Sequence, residues 1–341
     1  CRSKDMRDVL VPLAIDLGLP PPRSRLSEAA GRSMGTTWSA RMVVPPGVTA
    51  DLEAALQREL GEIVAQMSHW EAASLLARFN SAPGGTWHAL PPQFYDVVDF
   101  ALQVHADSAG AYDPAAGALV NLWGFGPAGR YDQAEFQAPT SPAIAAVMAR
   151  RASGTPQLDR ASRRLLQPGG AILDFSSIAK GYGVDRLGLC LERHGVRHYL
   201  VEVGGELRGA GMKPDGEPWW VEIEGVPDAG ANAGPQAVVA LHGLAIATSG
   251  DYRRYFQHGQ RRASHTLDPR TGHPVANGVA SCTVVASTCM AADALSTALT
   301  VMGVEAGLVF ADARGIAARY LVRRGANLNE YTSAAWRALL Q

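Results

Sequence analysis

Residues 173–187 read LDFSSIAKGYGVDRL. An acid, two serines and a lysine (Asp174, Ser176, Ser177 and Lys180) stand where a short apolar run gives way to a helical one, and Gly181-Tyr182-Gly183 follows at once. A stretch that only packs has no use for such polarity at a junction. AILDF (171–175) is expected as a strand and 178–194 as a helix, which makes the seam a strand-to-helix corner. Free N–H groups and the positive end of a helix favour an anion there, and Lys180 adds a point charge suited to phosphate. A serine cap beside a solvated lysine is the alternative.

Outward from this corner, SMGTTWSARMVV (33–44) alternates as a strand, and Leu52, Leu56, Leu60, Ile63 and Met67 recur at helical spacing within 51–69. Further helices are expected at 92–108 and 142–152. Between them AYDPAAGALVNLWGFGP (111–127) reads as a Gly- and Pro-rich loop with a purpose. In the second half HYLVEV (198–203), PWWVEIE (218–224), GLAIAT (243–248) and VASCTVVA (279–286) read as strands, with a helix at 290–302. Many strands joined by turns with occasional helices predict an α+β fold, a mixed-sheet domain with helices packed on the sheets, rather than a doubly wound one. PDAGANAGPQ (227–236) reads as a surface loop.

The chain has 341 residues, 47% apolar and 18% charged, with a net charge of −1. That is enough to bury a sizeable core, and it argues against disorder and against a nucleic-acid partner. Four cysteines show no CxxC pair, zinc spacing or disulfide framework. No apolar run approaches the ~20 residues of a membrane helix. The chain starts at Cys1, and in bacterial lipoproteins a processed terminal cysteine carries lipid. On that reading the polar, Pro-rich residues 1–26 form a tether and 27–341 the working domain; an arbitrary cut is the alternative.

The sequence lacks GxGxxG opening a helix, GxxxxGK[ST] and HExxH, so Rossmann, P-loop and zincin chemistry lose their usual support. Two polar clusters accompany the corner. In SHTLDPRTGHPV (264–275) a tight Asp-Pro…Thr-Gly turn fixes His265, a general-base candidate or a structural histidine. In CMAADALSTAL (289–299) Asp293 and Thr297 stand four apart on one helix face with Ser296 nearby. Such hard oxygens suit Mg²⁺ or Ca²⁺ and are too few for a full cage, which fits a metal shared with substrate phosphates. An acid interacting with the helix dipole is the alternative.

Taken in order, MGTTWSARM (34–42), MSHWEAASLLARFN (67–80), YDPAAGALVNLWGFG (112–126), LDFSSIAKGYGVDRL, VEVGGELRGAG (201–211), ATSGDYRRYF (247–256), SHTLDPRTGHPV and AADALSTALTVMG (291–303) resemble the ApbE family of FAD:protein FMN transferases, many of them periplasmic lipoproteins. The resemblance implies that FAD binds with its pyrophosphate beside Mg²⁺, or Ca²⁺. FMN then passes to a Thr or Ser hydroxyl of an acceptor flavoprotein and AMP leaves. It assigns metal oxygens to Asp293, Thr297 and the main-chain carbonyl of Ser177, with Ser296 weaker, and the acceptor's proton to His265. Flavin contacts carry over to Met34, Trp70, Tyr112, Asp113, Pro114, Asp174, Lys180 and Leu267. A lipid on Cys1 would hold the protein on the periplasmic side of the inner membrane. FAD pyrophosphatase, with water in place of the hydroxyl, and an FAD-binding lipoprotein without chemistry are the alternatives.

Overall fold

Strands Arg25–Ser33 and Thr36–Val44 pair through a two-residue turn in which Met34 and Gly35 both have positive φ, 53° and 73°. A turn of that hand matches the twist of the strands it joins, and at Met34 a residue with a side chain bears the strain. The computed structural model describes residues 8–16, 18–152, 154–227, 237–258, 261–325 and 327–341. Cys1 and nearly all of the 227–236 loop lie outside the described residues.

The chain divides into two compact units. The first comprises residues up to Gly61 together with Lys180–Tyr252 and Gly278–Gln341, and the second comprises Glu62–Ala179 and Arg253–Asn277. In the first unit an eight-stranded antiparallel sheet runs, by residue number, 327–332, 317–324, 279–286, 244–250, 206–210, 199–203, 36–44 and 25–33. Successive residues of its central strands feed two different cores, as the pleat requires. Ile246, Val285 and Ala317 join Leu10, Val239, Leu241 and Trp336, whereas Ala247, Val284 and Ala318 join Ala292, Leu299 and Phe310. The first core is closed by a three-stranded sheet of Asp8–Leu10, Ala237–Leu241 and Trp219–Ile223. The second is closed by the helix Cys289–Arg314.

That helix runs past the expected 290–302, and by length and composition it could cross a membrane. Here it is the core helix of the sheet. Gly303, at φ 76° and ψ 176°, breaks its regular course at the position where the expected helix ends.

The second unit carries the helices Leu75–Asn80, Pro92–Asp107, Gly117–Leu122 and Ser141–Ala152 with a small sheet of 86–89, 164–167 and 157–159. Its core gathers Leu119, Trp123, Phe125, Ile144, Val147, Ala263 and Leu267. Two local expectations change. The loop 111–127 contains the short helix Gly117–Leu122. AILDF (171–175) joins no ladder: the Asn80 side chain accepts from Leu173 N–H (2.8 Å) and donates to its carbonyl (2.9 Å), Gln167 does the same at Ala171, and Asp174 N–H goes to the Pro114 carbonyl (2.8 Å). The run is apolar because it is buried. Side-chain amides and loop carbonyls replace the strand partner that the sequence pattern suggested.

The expected lead over 1–26 also changes. Asp8–Leu10 pairs in parallel with Ala237–Val239, Val11 N–H donates to the Leu339 carbonyl (2.8 Å), and Leu10 is fully buried. Leu10→Ala should therefore lower stability by ~2–5 kcal/mol in chemical denaturation. Unchanged stability would show that this segment contributes nothing to the fold.

Candidate flavin and metal site

In the first unit the functional side chains gather at one end of the large sheet. Strand register brings the Met34-Gly35 turn to the same end as the Gly204-Gly205 turn, whose glycines take φ 62° and 100°. Gly204 N–H donates to the Thr37 carbonyl (3.0 Å), and a Cβ on Gly204 would stand 2.9 Å from Thr36 Cγ2 and 3.4 Å from Lys180 Cδ. The lysine stem thus lies against the Gly204-Gly205 turn, which Thr36 also meets. Its ammonium forms a short ion pair with Glu206, a buried residue beginning the next strand.

Lys180 lies in the first turn of the helix Ala179–Arg193, and the next N–H fixes Asp293. Gly181 N–H donates to Asp293 Oδ2 at 3.0 Å, and a Cβ on Gly181 would sit 2.3 Å from the Cys289 carbonyl oxygen and 2.8 Å from Asp293 Cβ. Only glycine permits that approach. A regular helix extended backward would instead send this N–H to the carbonyl of residue 177. Burial pushes the Asp293 carboxyl above its ordinary range, against the pull of the Lys180 charge and the Gly181 N–H. One turn on, Thr297 Oγ1 lies 3.1 Å from Ser249 Oγ, which is also 2.8 Å from Ser296 Oγ. Ser296 in turn donates to the Asp293 carbonyl (2.9 Å) and is fully buried. Its hydroxyl is committed to the helix, which leaves Asp293 and Thr297 as the metal-ligand candidates on this face.

These residues fit a hard divalent cation. They supply one carboxylate and hydroxyl oxygens, and a carboxylate held above its ordinary range by burial is one that a cation stabilises in its ionised form. Among the described residues no group of three His, Cys, Asp or Glu side chains could hold a metal. Such a donor set would suit a metal whose other ligands come from a substrate rather than from a closed protein cage.

The second unit holds the other expected positions. Asp174 Oδ1 accepts from Ser176 N–H (2.7 Å) and lies 3.6 Å from His69 Nδ1, whose ring is 5.5 Å from that of Trp70. Trp70 is 50% exposed, so a large aromatic face stands open to solvent beside His69. Pro114 meets Asp174 through its carbonyl. Asp113 caps Ala115 N–H (2.8 Å), forms a short ion pair with Arg151 and lies 3.6 Å from His105 Nδ1. Tyr112 is buried and its carbonyl accepts from His105 Nδ1 (2.9 Å). Ser177 lies half-buried in the turn before the helix.

His265 receives its orientation from the backbone. Its own N–H (3.0 Å) and its ring Nδ1 (3.1 Å) both donate to the Arg254 carbonyl. A carbonyl can only accept, so Nδ1 carries the proton and Nε2 is the basic nitrogen of the neutral ring. Two residues on, Leu267 is buried in the core with Trp123, whose indole N–H donates to the Gly272 carbonyl (2.9 Å) and ties down the turn.

Glu206, Ser249, His69 and Arg151 were not expected. Glu206, Ser249 and His69 lie inside stretches that the sequence already marks, but nothing in the spacing says which lysine, threonine or aspartate each one meets.

The ApbE family model matches residues 34–320. The Vibrio cholerae FAD:protein FMN transferase is 37% identical over 98% of this chain and 99% of its own length, and that of Haemophilus influenzae is 32% identical over 98% and 97%. The apo flavinyl transferase ApbE of Pseudomonas stutzeri superposes with a TM-score of 0.83 at 37% identity, covering 93% of this chain and 97% of that one. The fold is thus shared almost end to end with solved flavin transferases. The chain belongs to the ApbE family.

Gly181 gives a direct check on the geometry. Gly181→Ala should cost ~1–3 kcal/mol of stability, because its Cβ meets backbone rather than a movable side chain. Gly61→Ala, in the helix Leu52–Met67 with nothing within 4 Å, should be neutral or stabilise by up to ~1 kcal/mol. Equal effects in urea titrations would contradict the close helix approach.

Proposed function

We infer that the protein is an FAD:protein FMN transferase that carries FMN from FAD to a Thr or Ser hydroxyl of an acceptor flavoprotein and releases AMP. The observation that carries this reading is the Lys180, Asp293 and Thr297 grouping in a chain that aligns from end to end with relatives of that name. Attack of the hydroxyl on the FMN-side phosphorus forms one P–O bond and breaks the pyrophosphate bond, leaving AMP with the displaced oxygen. Negative charge grows on the bridging and terminal oxygens as that happens. Lys180, held by Glu206, offsets it as a fixed point charge.

Asp293 and Thr297 would hold Mg²⁺, which supplies Lewis-acid neutralisation of pyrophosphate charge when bound. Through Nε2, His265 accepts the proton of the attacking hydroxyl, with its ring fixed by the Arg254 carbonyl. Trp70 offers the isoalloxazine a stacking face, and Met34, Tyr112, Asp113, Pro114, Asp174 and Leu267 line the flavin on the family pattern. The same resemblance extends the reading to location, with a lipid on Cys1 holding the protein at the periplasmic face of a membrane.

Binding and chemistry should separate on mutation. His265→Ala should retain FAD affinity while flavinylation, followed by in-gel fluorescence, falls ~10²- to 10⁴-fold at neutral pH and the acid limb of the rate profile disappears. Parallel loss of affinity and rate would make His265 a cofactor clamp. A folded Asp293→Ala protein should release no AMP and label no acceptor; near-normal turnover would remove the metal from the mechanism. AMP release without acceptor labelling by the wild type would instead indicate hydrolysis.

For location, Cys1→Ser should shift the protein out of the membrane fraction. An unmodified cysteine in the mass spectrum of the cellular protein would overturn the anchor.

A further inference from the structure

We infer that Asp185 is a positioning residue for the metal site, setting Asp293 and Thr297 through the first turn of the helix that carries them, with Arg208 as its counter-charge; this rests on the metal reading above. Asp185 lies on the helix Ala179–Arg193 and is 6% exposed. Its Oδ1 accepts from Cys289 N–H and its Oδ2 from Met290 N–H, each at 2.9 Å, so both carboxylate oxygens close on the start of the helix Cys289–Arg314. Arg208 Nη1 reaches Oδ1 at 3.0 Å and Nη2 lies 3.7 Å from Glu192, which accepts from Tyr199 at 2.6 Å.

This helix already has an ordinary cap. The Thr288 side chain accepts from Ala291 N–H. A second cap that buries a charge is costly, and burial pushes the Asp185 carboxyl up against the pull of the two N–H groups and Arg208. What the second cap adds is registration. Fixing the N–H groups of 289 and 290 sets the axial position and rotation of the first turn, and Asp293 follows three residues later. Asp293 reaches back to Gly181, four residues before Asp185, so the two helices are joined at both ends of one short span. Asp185 thus relates to the ligands as a hydrogen-bonding outer partner relates to a metal-binding side chain.

The experiment is calorimetric titration of Mg²⁺ into the FAD-loaded protein without acceptor, alongside turnover at varied Mg²⁺. Asp185→Asn keeps the shape, turns an amide donor toward N–H donors and leaves Arg208 with Glu192 as its carboxylate partner. It should weaken Mg²⁺ binding about 10- to 100-fold. Turnover should recover to within a few-fold of wild type at saturating Mg²⁺. Combined with Asp293→Ala it should add a smaller loss of Mg²⁺ affinity than it causes alone, as expected of a residue that acts through the ligands Asp293 and Thr297 rather than on the metal itself.

A merely structural cap would lower the melting temperature and leave the Mg²⁺ affinity of the folded protein unchanged, and that result would overturn the proposal. Should Asp185→Asn not fold, Arg208→Lys retains the charge and loses the fork. It should weaken Mg²⁺ binding several-fold, and wild-type affinity there would overturn the proposal equally. If wild type and Asp293→Ala bind Mg²⁺ alike, the metal reading itself fails, whatever Asp185 does.

Discussion

The first turns of the helices Ala179–Arg193 and Cys289–Arg314 are each tied by a carboxylate carried on the other. Asp185 accepts from Cys289 and Met290, and Asp293 accepts from Gly181. Helix starts leave N–H groups without intrahelical partners, and a buried start must find acceptors elsewhere. Here the acceptors are acids, so solving a backbone problem also delivers a carboxylate to a fixed place. Gly181 sets how close the helices come, since a Cβ there would meet the Cys289 carbonyl at 2.3 Å. The geometry of Asp293 is thereby a main-chain property, insulated from side-chain mobility.

Charge balance then decides what the site can accept. Lys180 is already matched by Glu206, so it brings a held charge rather than a mobile one. Asp293 is buried enough that its ionised form is disfavoured despite Lys180 and Gly181. Such a site is short of positive charge at Asp293 and rich in neutral oxygen donors at Thr297 and Ser249. On the proposed function a hard cation would meet both conditions, with a ligand's own oxygens supplying what these residues do not.

Much of this was legible in the sequence. The helices at 51–69, 92–108 and 178–194 and the strands at 198–203, 243–248 and 279–286 follow from apolar period alone, and each forms within a few residues of expectation. Period fails where burial is not sheet membership. AILDF reads as a short apolar strand, yet Asn80 and Gln167 amides take the place of a ladder. It fails as well for the strand Arg25–Ser33, nine residues with few large apolar side chains, which forms because its neighbour offers a full set of partners through a tight turn. At the site, Asp293, Thr297 and Lys180 were legible as residue types at suggestive spacing. Glu206, Ser249 and Asp185 were not, because what qualifies each is a contact across more than twenty residues of chain.

His265 shows how the labour is shared on the proposed function. A neutral main-chain carbonyl, that of Arg254, takes both its backbone N–H and its Nδ1–H. This fixes the tautomer and the ring plane without placing a charge on Nδ1. An imidazole held this way has Nε2 as its basic nitrogen, but the carbonyl contributes orientation rather than the electrostatic support that a carboxylate gives an imidazolium. A hydroxyl proton is also hard to remove before the new P–O bond has begun to form, because the loose transition state of phosphoryl transfer asks little of the nucleophile early on. The greater share of the barrier lowering therefore falls on neutralising the pyrophosphate charge, the task of Lys180 and of the Asp293 and Thr297 oxygens. On that reading the acid has a buried setting and a close helix contact, the lysine has a buried partner in Glu206, and the base has only a backbone carbonyl.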